Sequence, residues 1–435
     1  MHGPVAQALY NRAIGIDVHH SLLVCAFQYA NLQTQTIETQ TCSFGTTASE
    51  LARFTQWCRE RNPEKILMES TGVLWFSPYE ALEQVGFTAQ ELILVNARDL
   101  RSPPGRKTDT SDARNLAVHA RMGTVKGSFV PAKRFREMRI VARHYSKTKG
   151  DISRAKSRYQ KVLNYIGLRA SSVFSDPHGK AATAILTAYC EGEENMLEVI
   201  EKHGKRLRKT PEQILDELNF AMTQEMRAEL EILRFQLDQL NSVAQQQLAL
   251  LTKMQSTQRD RQMIAQLQEL PAVNELAARL LYAEITDNLS SFPDADHLAS
   301  WAGLCPGNNE SAGKRYSGRA PKGNKYVRSI LTECSQAIGF MKYGSMKDVF
   351  QAFKERRGHR RAVIAVAHRL LKLIYAIVAL GKPYVDKPTD ALEATRKRSY
   401  QKSVRNIKEL NYEILQHGVL VNKDTGAITA VDPAV

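Results

Sequence analysis

The sequence is short of several things, and each shortage excludes a class of protein. Cysteine numbers only 6 in 435 residues, and Cys25, Cys42, Cys58, Cys190, Cys305 and Cys334 are scattered with no CxxC pair. That spacing argues against a zinc module or a disulfide framework and fits a reducing cytosol. No basic-then-apolar leader opens the chain. The most apolar run, 362–380, contains His368, Arg369 and Lys372, so it reads as an amphipathic core helix and not as a membrane span. Low-complexity segments and internal repeats are lacking. Acidic residues are in deficit, with 45 Asp+Glu against 60 Lys+Arg and a net charge of +15. A basic balance of this size points to a polyanion partner, most often nucleic acid. Apolar residues at 43% and charged residues at 24% place the chain in the globular range, and its length suffices for two or three domains.

The positive charge is concentrated. Residues 98–169 carry 19 Lys/Arg against 5 Asp/Glu, and residues 314–408 carry 23 against 6. The remainder is net acidic, so the two blocks suggest two contact surfaces for phosphate backbone.

Three strand-like stretches open the chain at 13–18, 22–27 and 33–44, with connections short enough for antiparallel neighbours. Thr47-Ala48-Ser49-Glu50 has the capping-box pattern for a helix to about 61. A strand at 65–69, a helix at 74–85 and a strand at 92–95 follow. The order βββαβαβ, then helix, is that of the ribonuclease-H-like fold, a mixed sheet flanked by helices. Beyond the Pro103-Pro104-Gly105 loop the pattern turns helical, from 110 or 111 to about 122, then from Pro131 to about 167, then over 181–256. Met226, Leu230, Leu233, Leu237, Leu240 and Ala244 form a heptad stripe. It fits both a helical hairpin within the chain and an arm that joins subunits. A second compact unit spans about 270–384, helical except for a Gly-rich loop at 303–323. The tail is polar, with room for a short strand at 419–421.

Four acids stand out by position. Asp17 ends the first strand and Glu69 the fourth, which lie side by side in a ribonuclease-H-like sheet. Asp109 and Asp112 sit at the mouth of the next helix, and their i, i+3 spacing places them on one face. Any one alone is an ordinary turn or cap residue. Four carboxylates gathered together repel unless cations lie between them. The natural cations are two Mg²⁺ or Mn²⁺ ions about 3.5–4 Å apart, which prefer hard oxygen ligands and hold a phosphodiester.

A second candidate site is the loop around Ser311. Small residues there let a phosphate approach closely, and Lys314, Arg315, Arg319, Lys322 and Arg328 supply counter-charge. The hydroxyl could attack phosphorus and hold DNA covalently, or only donate hydrogen bonds to a gripped phosphate.

Together these stretches resemble one family. The carrying residues are Gly15-Ile16-Asp17-Val18, Met68-Glu69-Ser70-Thr71-Gly72, Lys107-Thr108-Asp109-Thr110-Ser111-Asp112-Ala113, and Ala302-Gly303-Leu304-Cys305-Pro306 through Arg328. Arg369-Leu370-Leu371-Lys372 and Gly381-Lys382-Pro383-Tyr384 add to them. They resemble the insertion-sequence transposases with a RuvC-like Asp-Glu-Asp-Asp domain and a C-terminal serine domain. This family includes the Piv-type invertases and the bridge-RNA-guided recombinases. The resemblance implies that Asp17, Glu69, Asp109 and Asp112 bind the metal and that Ser311 is the nucleophile. It also implies a phosphoserine link to DNA, a structured guide RNA, and a homodimer or homotetramer in which the ions and the serine come from different subunits. Arg106 and Lys107 join the cations of the serine loop as nucleic-acid contacts.

The expected domains are a RuvC-like α/β domain at 1–130, basic helices and a coiled-coil arm at 131–265, a mainly helical serine domain at 266–385, and a tail at 386–435. The expected place of action is the bacterial cytoplasm, at the nucleoid, without a membrane. Two departures from the family pattern stand out. Leu270-Pro271-Ala272-Val273-Asn274-Glu275 replaces a Pro-Gly-Ile-Gly hairpin turn, and Ala312 follows Ser311 where Gly is usual, which leaves Ser317 as the fallback nucleophile. The rival functions are a RuvC-like nuclease that uses water and a retired transposase that only binds nucleic acid.

Overall fold

The computed structural model describes residues 8–430 apart from 32, 70–71, 97–99, 101–107, 205–206, 208, 220–221, 306–308, 312–313, 318–321, 387–399, 402–403 and 415–418. The chain divides into two compact units, Met1–Arg136 and Glu137–Val435.

The first unit is built on five strands, β1 (Arg12–Val18), β2 (Leu22–Asn31), β3 (Thr36–Gly45), β4 (Lys65–Glu69) and β5 (Leu92–Val95). Helix α1 (Ala48–Arg61) precedes β4, α2 (Phe76–Gln84) precedes β5, and α3 (Asp109–Met122) follows it. The sheet order is β3-β2-β1-β4-β5. The first three strands pair antiparallel, and β4 and β5 run parallel to β1. This is the mixed α/β sheet that the element order predicts.

Strand alternation sends successive side chains to opposite faces. One face carries Ile14, Ile16, Leu23, Cys25, Phe27, Ile66, Met68, Leu92 and Leu94, packed with Phe54 and Cys58 of α1 and Tyr79 and Leu82 of α2. The other face is lined by small residues, and α3 lies on it. Val24 and Ala26 meet Ala113 and Ala117, while Ala13, Leu67 and Val95 meet Leu116 and Ala120. Gly15 sets the closeness of that contact. A Cβ there would stand 2.2 Å from the Ala117 nitrogen and 2.3 Å from the Ala113 oxygen, both backbone atoms that no rotamer change can move.

Helix α3 begins at Asp109, one or two residues earlier than the sequence suggests. Thr108 is its N-cap, and the Thr108 and Ser111 side chains each accept a hydrogen bond from the other's backbone N–H, at 3.2 and 3.0 Å. Asp109 is therefore not the cap. Both Asp109 and Asp112 lie in the first turn, where the helix dipole favours anions.

Helix α4 (Lys133–Tyr165) runs into the second unit, which continues with α5 (Ala170–Val173), α6 (Lys180–Glu191), α7 (Met196–His203), α8 (Pro211–Leu218), α9 (Gln224–Met254), α10 (Gln258–Gln268), α11 (Glu275–Ile285) and α12 (Ala295–Trp301). A hairpin of β6 (Asn309–Ser311) and β7 (Lys314–Ser317) interrupts the helices before α13 (Lys325–Phe340), α14 (Ser345–Arg357) and α15 (His359–Leu380). By length and composition α15 could cross a membrane. In the fold it is a core helix, with Ala362, Val366, Ala367, Leu370, Leu371 and Ile374 fully buried among α12, α13 and α14.

Most of the heptad stripe of α9 is buried within its own unit, with Met226 and Leu240 half-buried. Leu230, Leu233, Leu237 and Ala244 are buried, and Arg227 and Arg234 donate to the carbonyls of Cys190 and Thr183 on α6. The α10–α11 turn places Ala272 at φ +59, in the left-handed region that favours glycine, and Asn274 caps α11. The tail holds more than the one strand foreseen. β8 (Tyr412–Ile414), β9 (Val419–Asn422) and β10 (Ile428–Ala430) form an antiparallel sheet.

Gly15→Ala is expected to destabilise the first unit by about 3 kcal/mol, because overpacking falls on backbone and not on a pliable side chain. Denaturant unfolding followed by the fluorescence of Trp57 and Trp75 measures it.

Candidate active site

The alternation that builds the sheet also aims two acids. Asp17 follows Ala13 and Gly15 on the face that α3 covers, and Glu69 follows Leu67 on that same face. The parallel register Gly15↔Leu67 and Ile16↔Met68 carries Asp17 and Glu69 to adjacent strand ends. Asp109 and Asp112 arrive on the first turn of α3.

Asp17 is nearly buried, at 9% exposure. Its carboxyl is raised above the usual range first by burial, then by the charges of Asp112, Glu69 and Asp109, while His19 acts in the lowering direction. Glu69, Asp109 and Asp112, the other three acids singled out from the sequence, thus all lie close enough to Asp17 to act on it. Sequence reasoning missed His19. Its Nε2 stands 3.1 Å from Asp17 Oδ2 and 3.5 Å from Asp109 Oδ2, so Asp17, His19 and Asp109 present three possible ligand atoms to one point. The signal was there in Asp17-Val18-His19, since two residues along a strand end return the chain to the same face.

The donor set suits a hard divalent ion. Carboxylates crowded around Asp17 gain from a cation placed among them.

The second candidate site is a hairpin where the sequence suggests a Gly-rich loop. Ser311 pairs with Lys314 and Glu310 with Arg315, and Ser317 pairs with Asn309 beyond a register shift. Ser311 therefore ends β6, three positions before its pairing partner Lys314. Lys322 is exposed and Arg328 is half-buried on α13. Arg106, Lys107 and Arg319 fall outside the described residues.

Comparison with known proteins adds a separate line. Residues 14–167 match a transposase family model of the DEDD IS110 type, and residues 264–351 match the model described as Transposase IS116/IS110/IS902 family. The two models belong to one family and together cover more than half of the chain. The chain belongs to the IS110-type transposases. Among its relatives is the pilin gene-inverting protein of Moraxella bovis, 27% identical over 118 residues, which are 26% of this chain and 36% of that protein. The IS1111A insertion-element transposase of Coxiella burnetii is 29% identical over 121 residues, 27% of this chain and 33% of that protein. The matched stretch spans about a third of the length of these curated relatives. The first IS110-type model includes Asp17, Glu69, Asp109 and Asp112, and the second includes the β6–β7 hairpin.

A carboxyl raised in the fold costs stability as pH climbs from its unfolded value through its folded one, and neutral pH carries the whole cost. Asp17→Asn is therefore expected to raise the melting temperature of the ion-free protein at pH 7.5. The same change is expected to abolish the increase that Mg²⁺ gives the unaltered protein. Thermal melts with and without Mg²⁺, repeated near pH 4 where the Mg²⁺ effect is expected to shrink, measure both.

Proposed function

We propose that this chain is a DNA transposase that cuts and rejoins DNA, with Ser311 as nucleophile and with a divalent ion held by Asp17, Glu69, Asp109 and Asp112. The observation that carries the proposal is the gathering of Glu69, Asp109 and Asp112 around the nearly buried Asp17, at the end of a sheet contact tight enough to need Gly15. Membership of the family and the names of the relatives, one an insertion-element transposase and one a gene-inverting protein, support DNA as the substrate.

The Ser311 hydroxyl attacks the phosphorus of a phosphodiester. A serine Oγ–P bond forms, the bond from phosphorus to one deoxyribose oxygen breaks, and that oxygen takes up a proton as the serine loses its own. The reverse attack by a second deoxyribose hydroxyl rejoins DNA and frees the serine. Lys314 and Arg315, on the strand paired with that of Ser311, supply positive charge for the phosphoryl oxygens. The ion, when bound, supplies Lewis-acid stabilisation of the charge that develops on those oxygens.

A structured guide RNA and a homo-oligomer complete the proposal. Nucleic-acid binding is supported by α4, whose exposed Lys147, Arg154, Arg158 and Lys161 fall on one helix face, with Ser153 and Ser157 beside them in a shallow groove. Association of subunits is supported by the outward residues of α9, where Ile232, Phe235, Val243 and Leu250 remain exposed after the inner stripe is packed.

Two experiments test this. Purified protein incubated with the element's flanking RNA and both DNA ends is expected to give a protein–DNA adduct that disappears in Ser311→Ala while DNA binding persists. Hydrolysed ends without an adduct would show water to be the nucleophile. Replacing Lys147, Arg154, Arg158 and Lys161 by Ala is expected to flatten the plot of log affinity against log salt by about 3 to 4, since each lost phosphate contact removes about 0.9 from the slope on duplex. Filter binding at several salt concentrations reads it.

A further inference from the structure

The second unit buries an ionic cluster that the proposed chemistry does not use. Glu284, near the end of α11, is 1% exposed. Its carboxylate accepts from Arg143 Nε at 2.6 Å and from the same guanidinium's second nitrogen at 2.9 Å. Arg139, one helical turn earlier on α4 and also buried, donates to the Glu284 backbone carbonyl and holds its Nε 3.7 Å from the carboxylate. Two guanidiniums thus share one carboxylate where water is scarce. A further bond to that carboxylate comes from Asn324, whose Nδ2 donates at 2.7 Å.

Asn324 stands where the Ser311 segment rejoins the helical body. Its Oδ1 caps α13 by accepting from the Tyr326 and Val327 backbone N–H groups, and its own N–H donates to the Trp301 carbonyl at 2.9 Å. One residue earlier, a Cβ on Gly323 would meet the Gly303 nitrogen at 2.2 Å, so the two backbones touch. Gly303 and Leu304 are themselves tied back to Ser300 and Ala299 of α12. The chain therefore leaves the helical body at Gly303 and rejoins it at Gly323 through one neck, and Ser311 lies between these points in the sequence. The aromatic rings beside the neck are covered by the same cations, with Arg143 4.9 Å from the Tyr326 ring centre and Arg139 5.8 Å from that of Trp301.

We propose that Glu284 is a positioning residue for Ser311: held by Arg139 and Arg143, it fixes Asn324 and with it the neck from which the serine hairpin projects. This rests on the reading of Ser311 as nucleophile. A buried ion cluster of this kind adds little net stability over packed apolar groups, but its hydrogen bonds fix direction. Direction is what an attacking hydroxyl needs, because a misplacement of about 1 Å can reduce the rate about 100-fold.

The test uses the full chain and a substitution that cuts one link only. Asn324→Asp keeps the cap on α13 but turns an acceptor towards Glu284 in place of the donor, while the Arg143–Glu284 pair remains. In single-turnover assays with guide RNA and DNA ends, adduct formation is expected to fall about 100-fold, with DNA affinity within about twofold of the unaltered protein and a cooperative melt retained. Adding Glu284→Gln restores a donor–acceptor pair with the same total charge, and is expected to recover most of the lost rate. A merely structural cluster would predict loss of affinity and melting temperature together, with no rescue. Hydrogen exchange decides the neck independently of chemistry, because Asn324→Asp is expected to speed amide exchange across 304–322 at least tenfold and leave α4 unchanged. Unaltered exchange or an unaltered adduct rate overturns the proposal. Hydrolysis without adduct by the unaltered protein overturns the role of Ser311 and with it the positioning claim, leaving the exchange result as a statement about the neck alone.

Discussion

Everything at the acidic centre depends on how closely a helix can lie on a strand. α3 carries Asp109 and Asp112, β1 carries Asp17, and the two elements are separated at Gly15 by no side chain at all. The small residues around it, Ala13, Ala26, Ala113 and Ala117, extend the close contact along the helix. Larger residues on either surface would lift α3 away and carry its first turn out of reach of the strand ends. The same packing nearly buries Asp17, and that burial is the first cause that raises its carboxyl, with the neighbouring acids adding to it.

Much of this was legible beforehand because the physics is local. The strands of the first unit alternate apolar residues with a period of two, and the register follows from which face can be buried. Asp17 and Glu69 could be recognised as charges at the ends of apolar strands. Locating the start of α3 required knowing which hydroxyl caps it, and Thr108 and Ser111 offer equivalent chemistry until coordinates place them. His19 escaped notice because it is one histidine among 11, and its spacing of two from Asp17 gains meaning only beside its distance to Asp109, ninety residues away in sequence.

The second unit was less legible, for a reason that its helices share. A heptad stripe states that a face is buried and does not state by what, so α9 fitted an intrachain partner as well as another subunit. Its inner residues are buried within the unit, through contacts with α6 that include two arginine-to-carbonyl bonds. The β6–β7 hairpin was concealed by small and charged residues that read equally as loop. The Glu284 cluster joins residues about 140 positions apart, and no periodicity links a glutamate on α11 to arginines on α4. Burying such charges costs several kcal/mol per ion in desolvation, so the helices around them are held in one arrangement only while every hydrogen bond is made.

The touching backbones of Gly303 and Gly323 bear on how such a chain can diversify. A segment whose ends coincide can be lengthened, shortened or replaced without redirecting the protein on either side, and doubling its length adds only about 0.6 kcal/mol of closure entropy. The hairpin between the two glycines can thus be treated as an exchangeable cassette, transplanted between kindred chains while the surrounding helices stay intact.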